Sequence, residues 1–102
     1  MRKPTAKEIS QRLVNEFGYS RRGSEVAAAE LAAAHEKVQT AFLHWWQTGE
    51  ITEMEVEGYT AQRLMQERHM KPVAAFLTLD WLLKEPAAAL KALARPYDVV
   101  VF

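Results

Sequence analysis

The chain has 102 residues, 13 basic and 13 acidic side chains and a formal net charge of zero. That length predicts one domain over residues 1–102, and the balanced charge excludes the global basic field of a non-specific nucleic-acid binder. There is no cysteine, which excludes a disulfide framework, a thiolate metal site and a cysteine nucleophile.

Hydrophobic residues make up 49% of the chain, but sixteen of them are alanine, so the large side chains that can build a core are fewer than the percentage implies. The longest apolar runs, such as residues 73–77, hold five residues, far short of the roughly 20 that span a bilayer, which predicts no membrane segment. Residues 1–9 are charged with no apolar run behind them, unlike a signal peptide. The expected address is the cytoplasm, with which the missing cysteines are compatible.

Glycine and proline divide the chain at Pro4, Gly18, Gly23, Gly49, Gly58, Pro72, Pro86 and Pro96. Residues 1–4 are expected to be a mobile tail. The first predicted helix covers residues 5–17. Thr5 and Glu8 have capping-box spacing, and Ile9, Leu13, Val14 and Phe17 form one apolar stripe before Gly18 ends the helix. Residues 19–23 are expected to form a basic turn. The second predicted helix, the longest, covers residues 24–48, with Ser24 as N-cap, Glu25 in its first turn and Gly49 as C-cap. Leu31, Ala34, Val38, Ala41 with Phe42, and Trp45 follow a heptad-like spacing for about two repeats. That is too short for a coiled coil, but it fits an antiparallel or dimeric helix contact.

Residues 51–57 carry two signals. Thr52 and Glu55 again have capping-box spacing, while Met54, Val56 and Gly58 alternate with Glu53, Glu55 and Glu57 as in a strand. The glutamate density tips the expectation toward a short helix. A helix over residues 60–69 carries Ala61, Leu64 and Met65. Pro72 suits the first position of a helix over residues 73–84, which is apolar nearly all round and therefore central to a core. Another helix follows from Pro86 to about residue 94. Residues 97–102 turn β-prone with three consecutive valines. The expected fold is all-α: a compact bundle of about five helices with room for a short C-terminal β element.

The chemistry-bearing residues are sparse. His35 and His44 have no second histidine or carboxylate at the three- or four-residue spacing of zinc motifs. The four glycines never fall within four residues of one another, so neither a P-loop nor a dinucleotide fingerprint can be built. There is no nucleophile elbow. Glu50, Glu53, Glu55 and Glu57 form the densest carboxylate group, and nothing apolar surrounds them to raise a pKa for acid–base work. The expectation is a protein without enzymatic activity, metal or cofactor.

Two functional readings remain. In the first, the chain is a small interaction or assembly protein, a homodimer or a partner of another protein, of a style that fits a bacterial or phage accessory. Its candidate interface is Phe42, Trp45 and Trp46 with Glu53, Glu55 and Glu57. Adjacent tryptophans lie about 100° apart on a helix, so both cannot point inward equally, and an exposed aromatic is a contact surface. In the second, residues 60–83 have the outline of a helix-turn-helix in a winged-helix-like DNA-binding regulator. Its second helix offers Phe76, Leu77, Thr78, Asp80 and Trp81 where a recognition helix needs base-reading polar groups. Arg21, Arg22 and Lys71 are then the candidate phosphate contacts.

Overall fold

Six helices and one hairpin account for the regular structure of the described residues, and local chemistry sets most of their ends. The computed structural model describes residues 3–94. Helix α1 (Ala6–Phe17) starts on the expected capping box, with Thr5 and Glu8 each meeting the other's backbone N–H, and stops at Gly18, whose φ of 71° suits a residue without a Cβ. Helix α2 spans Arg21–Ala32 and α3 spans Glu36–Thr48. Strand β1 (Glu55–Val56) pairs antiparallel with β2 (Tyr59–Thr60). Helices α4 (Ala61–Arg68), α5 (Pro72–Lys84) and α6 (Pro86–Leu93) complete the order.

The all-α bundle is as expected, with one more helix than anticipated. The extra helix comes from a break in what the sequence presented as a single helix over residues 24–48. A straight helix of that length would run to about 37 Å, beyond the molecule's greatest extent of 34 Å. His35 instead takes an extended conformation and caps α3, its Nδ1 accepting from the Lys37 N–H at 3.1 Å. From the break, α2 packs on α1 while α3 packs on α5.

The start of α2 also differs from expectation. Ser20, not Ser24, is the N-cap, accepting from the Gly23 N–H. The basic residues expected in a turn therefore form the helix's first turn. Ser24 is buried, bonding the Arg21 carbonyl at 2.6 Å and the Ser10 hydroxyl at 2.8 Å. It stitches α2 to α1 where Ala27 and Ala28 let the axes come close.

Residues 51–57 are not helical. The strand alternation wins: Val56 is buried, and Glu53, Glu55 and Glu57 are exposed. The hairpin turns on Glu57 and Gly58, both with positive φ, 51° and 82°. That is the pattern of a two-residue primed turn, which matches the twist of the strands it joins. The one sheet of the described residues is thus internal. The β element expected at residues 97–102 lies outside the described residues, as do residues 1–2 of the expected N-terminal tail. Lys3 and Pro4 border a cleft with Ala6, Ile9, Leu31 and Phe42.

Helix α5 is the axis of the core, packed by α2, α3, α4, α6 and the hairpin. Every residue from Val73 to Asp80 is buried. The Thr78 hydroxyl is satisfied by the Ala74 carbonyl at 2.8 Å, so its burial leaves no polar group unpaired. The heptad-like residues Leu31, Ala34, Val38, Ala41 and Phe42 are all buried in the same cluster. Among the described residues no helix is long and apolar enough to cross a membrane.

Candidate functional site

The aromatic face is built on the second half of α3. Phe42 is buried against Phe76 of α5, the rings edge to face at 6.1 Å. Trp45 packs on Phe76 at 6.0 Å and on Phe17 at 5.4 Å, and Trp46 lies 5.3 Å from Phe42. Both tryptophans remain half-buried, each keeping part of its surface in solvent. Arg12 of α1 covers Trp46, its guanidinium 4.3 Å from a ring centroid, while its Nη1 donates to the Trp46 carbonyl at 2.9 Å. Its other side is held by Glu16 at 2.8 Å. A cation stacked on an indole face at a partly exposed site contributes about 0.5–1 kcal/mol, so Arg12 is a fastened cover for part of this surface.

The acidic residues sit elsewhere. Thr52 and Met54 border a cleft with Thr40, Ala41 and His44, on the flank of α3 away from the ring cluster. Glu50 comes within 3.7 Å of His44 Nε2. Arg63 of α4 braces the hairpin by donating to the Gly58 carbonyl at 2.8 Å and stacking 4.5 Å from the Tyr59 ring, and it forms an ion pair with Glu67. The structure therefore gathers Phe42, Trp45 and Trp46 in one cluster and places Glu53, Glu55 and Glu57 on a separate hairpin surface.

Lys71, far from Arg21 and Arg22 in sequence, is tied to the segment that leads into α2. The Lys71 ammonium lies 5.3 Å from the centroid of the Tyr19 ring, and Tyr19 stands two residues before Arg21. Both arginines and Lys71 are exposed. The second helix of the expected helix-turn-helix cannot enter a nucleic-acid groove, because its residues form the core.

Tyr19 carries a cost of its own. Its ring is buried and its hydroxyl has no hydrogen-bond partner. Burial raises the phenol's pKa above its ordinary 10.0. The neutral phenol is the form the fold favours, so its share of stability is intact below about pH 10 and is lost as pH rises through the folded value. Tyr19→Phe is expected to stabilise the protein by about 1 kcal/mol, since a buried hydroxyl without a partner is removed. It should also flatten the alkaline decline, as read by urea unfolding at pH 8 and pH 10.5 (about half a unit above an ordinary phenol).

Two features were missed from sequence. One is an open groove of about 630 Å³ between α1 and α2, bordered by Lys7, Gln11, Val14, Asn15, Arg21 and Ala29. The recurrence of Lys7, Gln11 and Asn15 every four residues was the available signal, because it marks the flank of α1 beside the apolar stripe. The other is Asp80, whose carboxylate accepts from the His35 N–H at 2.8 Å and pairs with Lys84 at 2.9 Å. Among the described residues no three His, Asp or Glu side chains are grouped to hold a metal ion. No protein-family model, curated protein or solved structure matches the chain.

Proposed function

We propose that the chain is a small non-catalytic interaction and assembly module that associates with a second copy of itself and works in the cytoplasm. The observation that carries this reading is the α3 aromatic face, where Trp45 and Trp46 keep solvent-facing surface although Phe42 and Phe76 behind them are buried. Tryptophan on a rigid, packed base is the side chain most enriched among interface residues that dominate binding energy. Separation of the acidic hairpin from that face supplies a second, charged contact surface. The glutamates of that hairpin are exposed, without the apolar surroundings that tune a carboxyl for proton transfer.

Light scattering after size exclusion, at low and moderate salt, tests the reading. The expected mass is that of a dimer or larger, rising with concentration. Trp46→Ala should weaken the association, lowering the mass at a given concentration, while far-UV circular dichroism keeps its helical shape. A wild-type monomer at every concentration overturns the proposal. The exposure of Arg21 and Arg22, with Lys71 over the nearby Tyr19 ring, favours one other reading, contact with nucleic-acid phosphates. A monomeric chain that retards mixed DNA fragments at about 50 mM salt, where such contacts are strongest, would place that reading first.

A further inference from the structure

We propose that the groove between α1 and α2 receives the acidic hairpin of a second copy of the chain, in a head-to-tail contact. The inference rests on the self-association reading and adds to the Trp45 and Trp46 face a second contact between copies, made by other surfaces. Charge is the first argument. Lys7 and Arg21 border the groove, where the opposing charge is Glu25, already 3.6 Å from Arg21. Exposed Arg22 extends the positive field on the same helix. The hairpin is its complement: no lysine or arginine stands between Lys37 and Arg63, while Glu50, Glu53, Glu55 and Glu57 fall in that interval. Alternation along the extended segment turns Glu53 and Glu55 outward together, opposite buried Val56, and exposed Glu57 follows in the turn.

Apolar surface is the second argument. Val14, on the groove wall, is 37% exposed, and only Val26 joins it among the large hydrophobic side chains exposed in the described residues. On the same side of the extended segment as Glu53 and Glu55 stands the half-buried Ile51, which can cover that valine. Geometry then sets the kind of contact. The hairpin packs on α4 and α5, whereas the groove belongs to α1 and α2, so a copy's hairpin and its groove are different surfaces. In the head-to-tail form proposed, each copy uses one of these surfaces toward a given neighbour, which is a heterologous interface. Exposed ion pairs hold it, so salt must weaken it as the screening length contracts from about 10 Å at 0.1 M to about 3 Å at 1 M.

The absence of cysteine makes a direct test available. Two single-cysteine chains of different mass are prepared, one with Glu55→Cys on the hairpin and one with Asn15→Cys on the groove; both positions are exposed. After mixing and mild oxidation, the disulfide between the two different chains should exceed both self-pairings several-fold. That excess should vanish when Lys7→Gln and Arg21→Gln are added to the groove chain, and in 1 M salt, where screening is strong. Three disulfides in statistical proportion, or a mixed yield indifferent to salt, overturns the docking. Light scattering on the wild type separates the two failures: an assembled chain with statistical cross-linking leaves self-association standing, and a monomeric chain removes both.

Discussion

Phe76→Ala is expected to destabilise the protein by about 3–5 kcal/mol. Phe76 is only 1% exposed, and it is the one ring from α5 that meets both Phe42 and Trp45 of α3. Truncation removes the apolar transfer term of the ring and leaves a cavity that two aromatic neighbours on a separate helix cannot readily fill. Domains of this size have about 5–15 kcal/mol of total stability, so the loss is a large fraction of the whole. Urea unfolding gives the loss, and tryptophan emission should shift to the red because Trp45 loses the surface it rests on. Phe76→Leu keeps most of the volume and should cost less than about 1.5 kcal/mol. An alanine variant within that smaller range would show that α3 and α5 collapse onto the gap. The same loss would loosen the aromatic face, so self-association should weaken together with stability.

Which features were legible in sequence follows from how local their causes are. The capping box of Thr5 and Glu8, the Gly18 and Gly49 ends and Pro72 at the first helical position are decided within a few residues, and the structure keeps each of them. The central place of α5 was legible because its apolar residues cover every side of the helix. The break at residues 33–35 was not, because alanine fits a helix interior and a helix end alike, and the groups that fix the break come from α5. The hairpin lost to a propensity argument: a high glutamate content disfavours an interior strand, but this two-stranded ribbon turns those side chains to solvent. At the candidate surfaces, periodicity located the tryptophan face on α3. It could not show that Arg12 would cover Trp46 from a helix 34 residues away, nor that Lys71 would close on Tyr19. The α1–α2 groove depends on where two axes settle against each other, which is a property of the packed pair.

Asp80→Ala is expected to cost about 2–3 kcal/mol, the range for a buried hydrogen bond to a charged group whose partner is left unpaired. Asp80 is 8% exposed and serves two partners. One oxygen accepts from the His35 N–H at 2.8 Å, and the other meets Lys84 one turn along α5 at 2.9 Å. Lys84 in turn donates to the Ala33 carbonyl at 3.0 Å. A carboxylate and an ammonium on one face of α5 therefore grip the α2–α3 connector from both sides. Asp80→Asn retains an acceptor for His35 and loses the ion pair, so it should cost about 1 kcal/mol. Lys84→Met removes a half-exposed charge together with its bond to the Ala33 carbonyl and should cost about 1 kcal/mol. Hydrogen exchange locates the effect: the Val38 and Gln39 amides, which donate to the His35 carbonyl, should exchange faster in Asp80→Ala than amides of α1. An Asp80→Ala variant within about 0.5 kcal/mol of wild type, the spread of ordinary surface changes, would mean that core packing alone holds the connector. If the predicted order of costs is found, the direction of α3 is set by a polar clamp. The Trp45 and Trp46 face, which α3 carries 10 residues beyond His35, is then aimed by a carboxylate on a different helix.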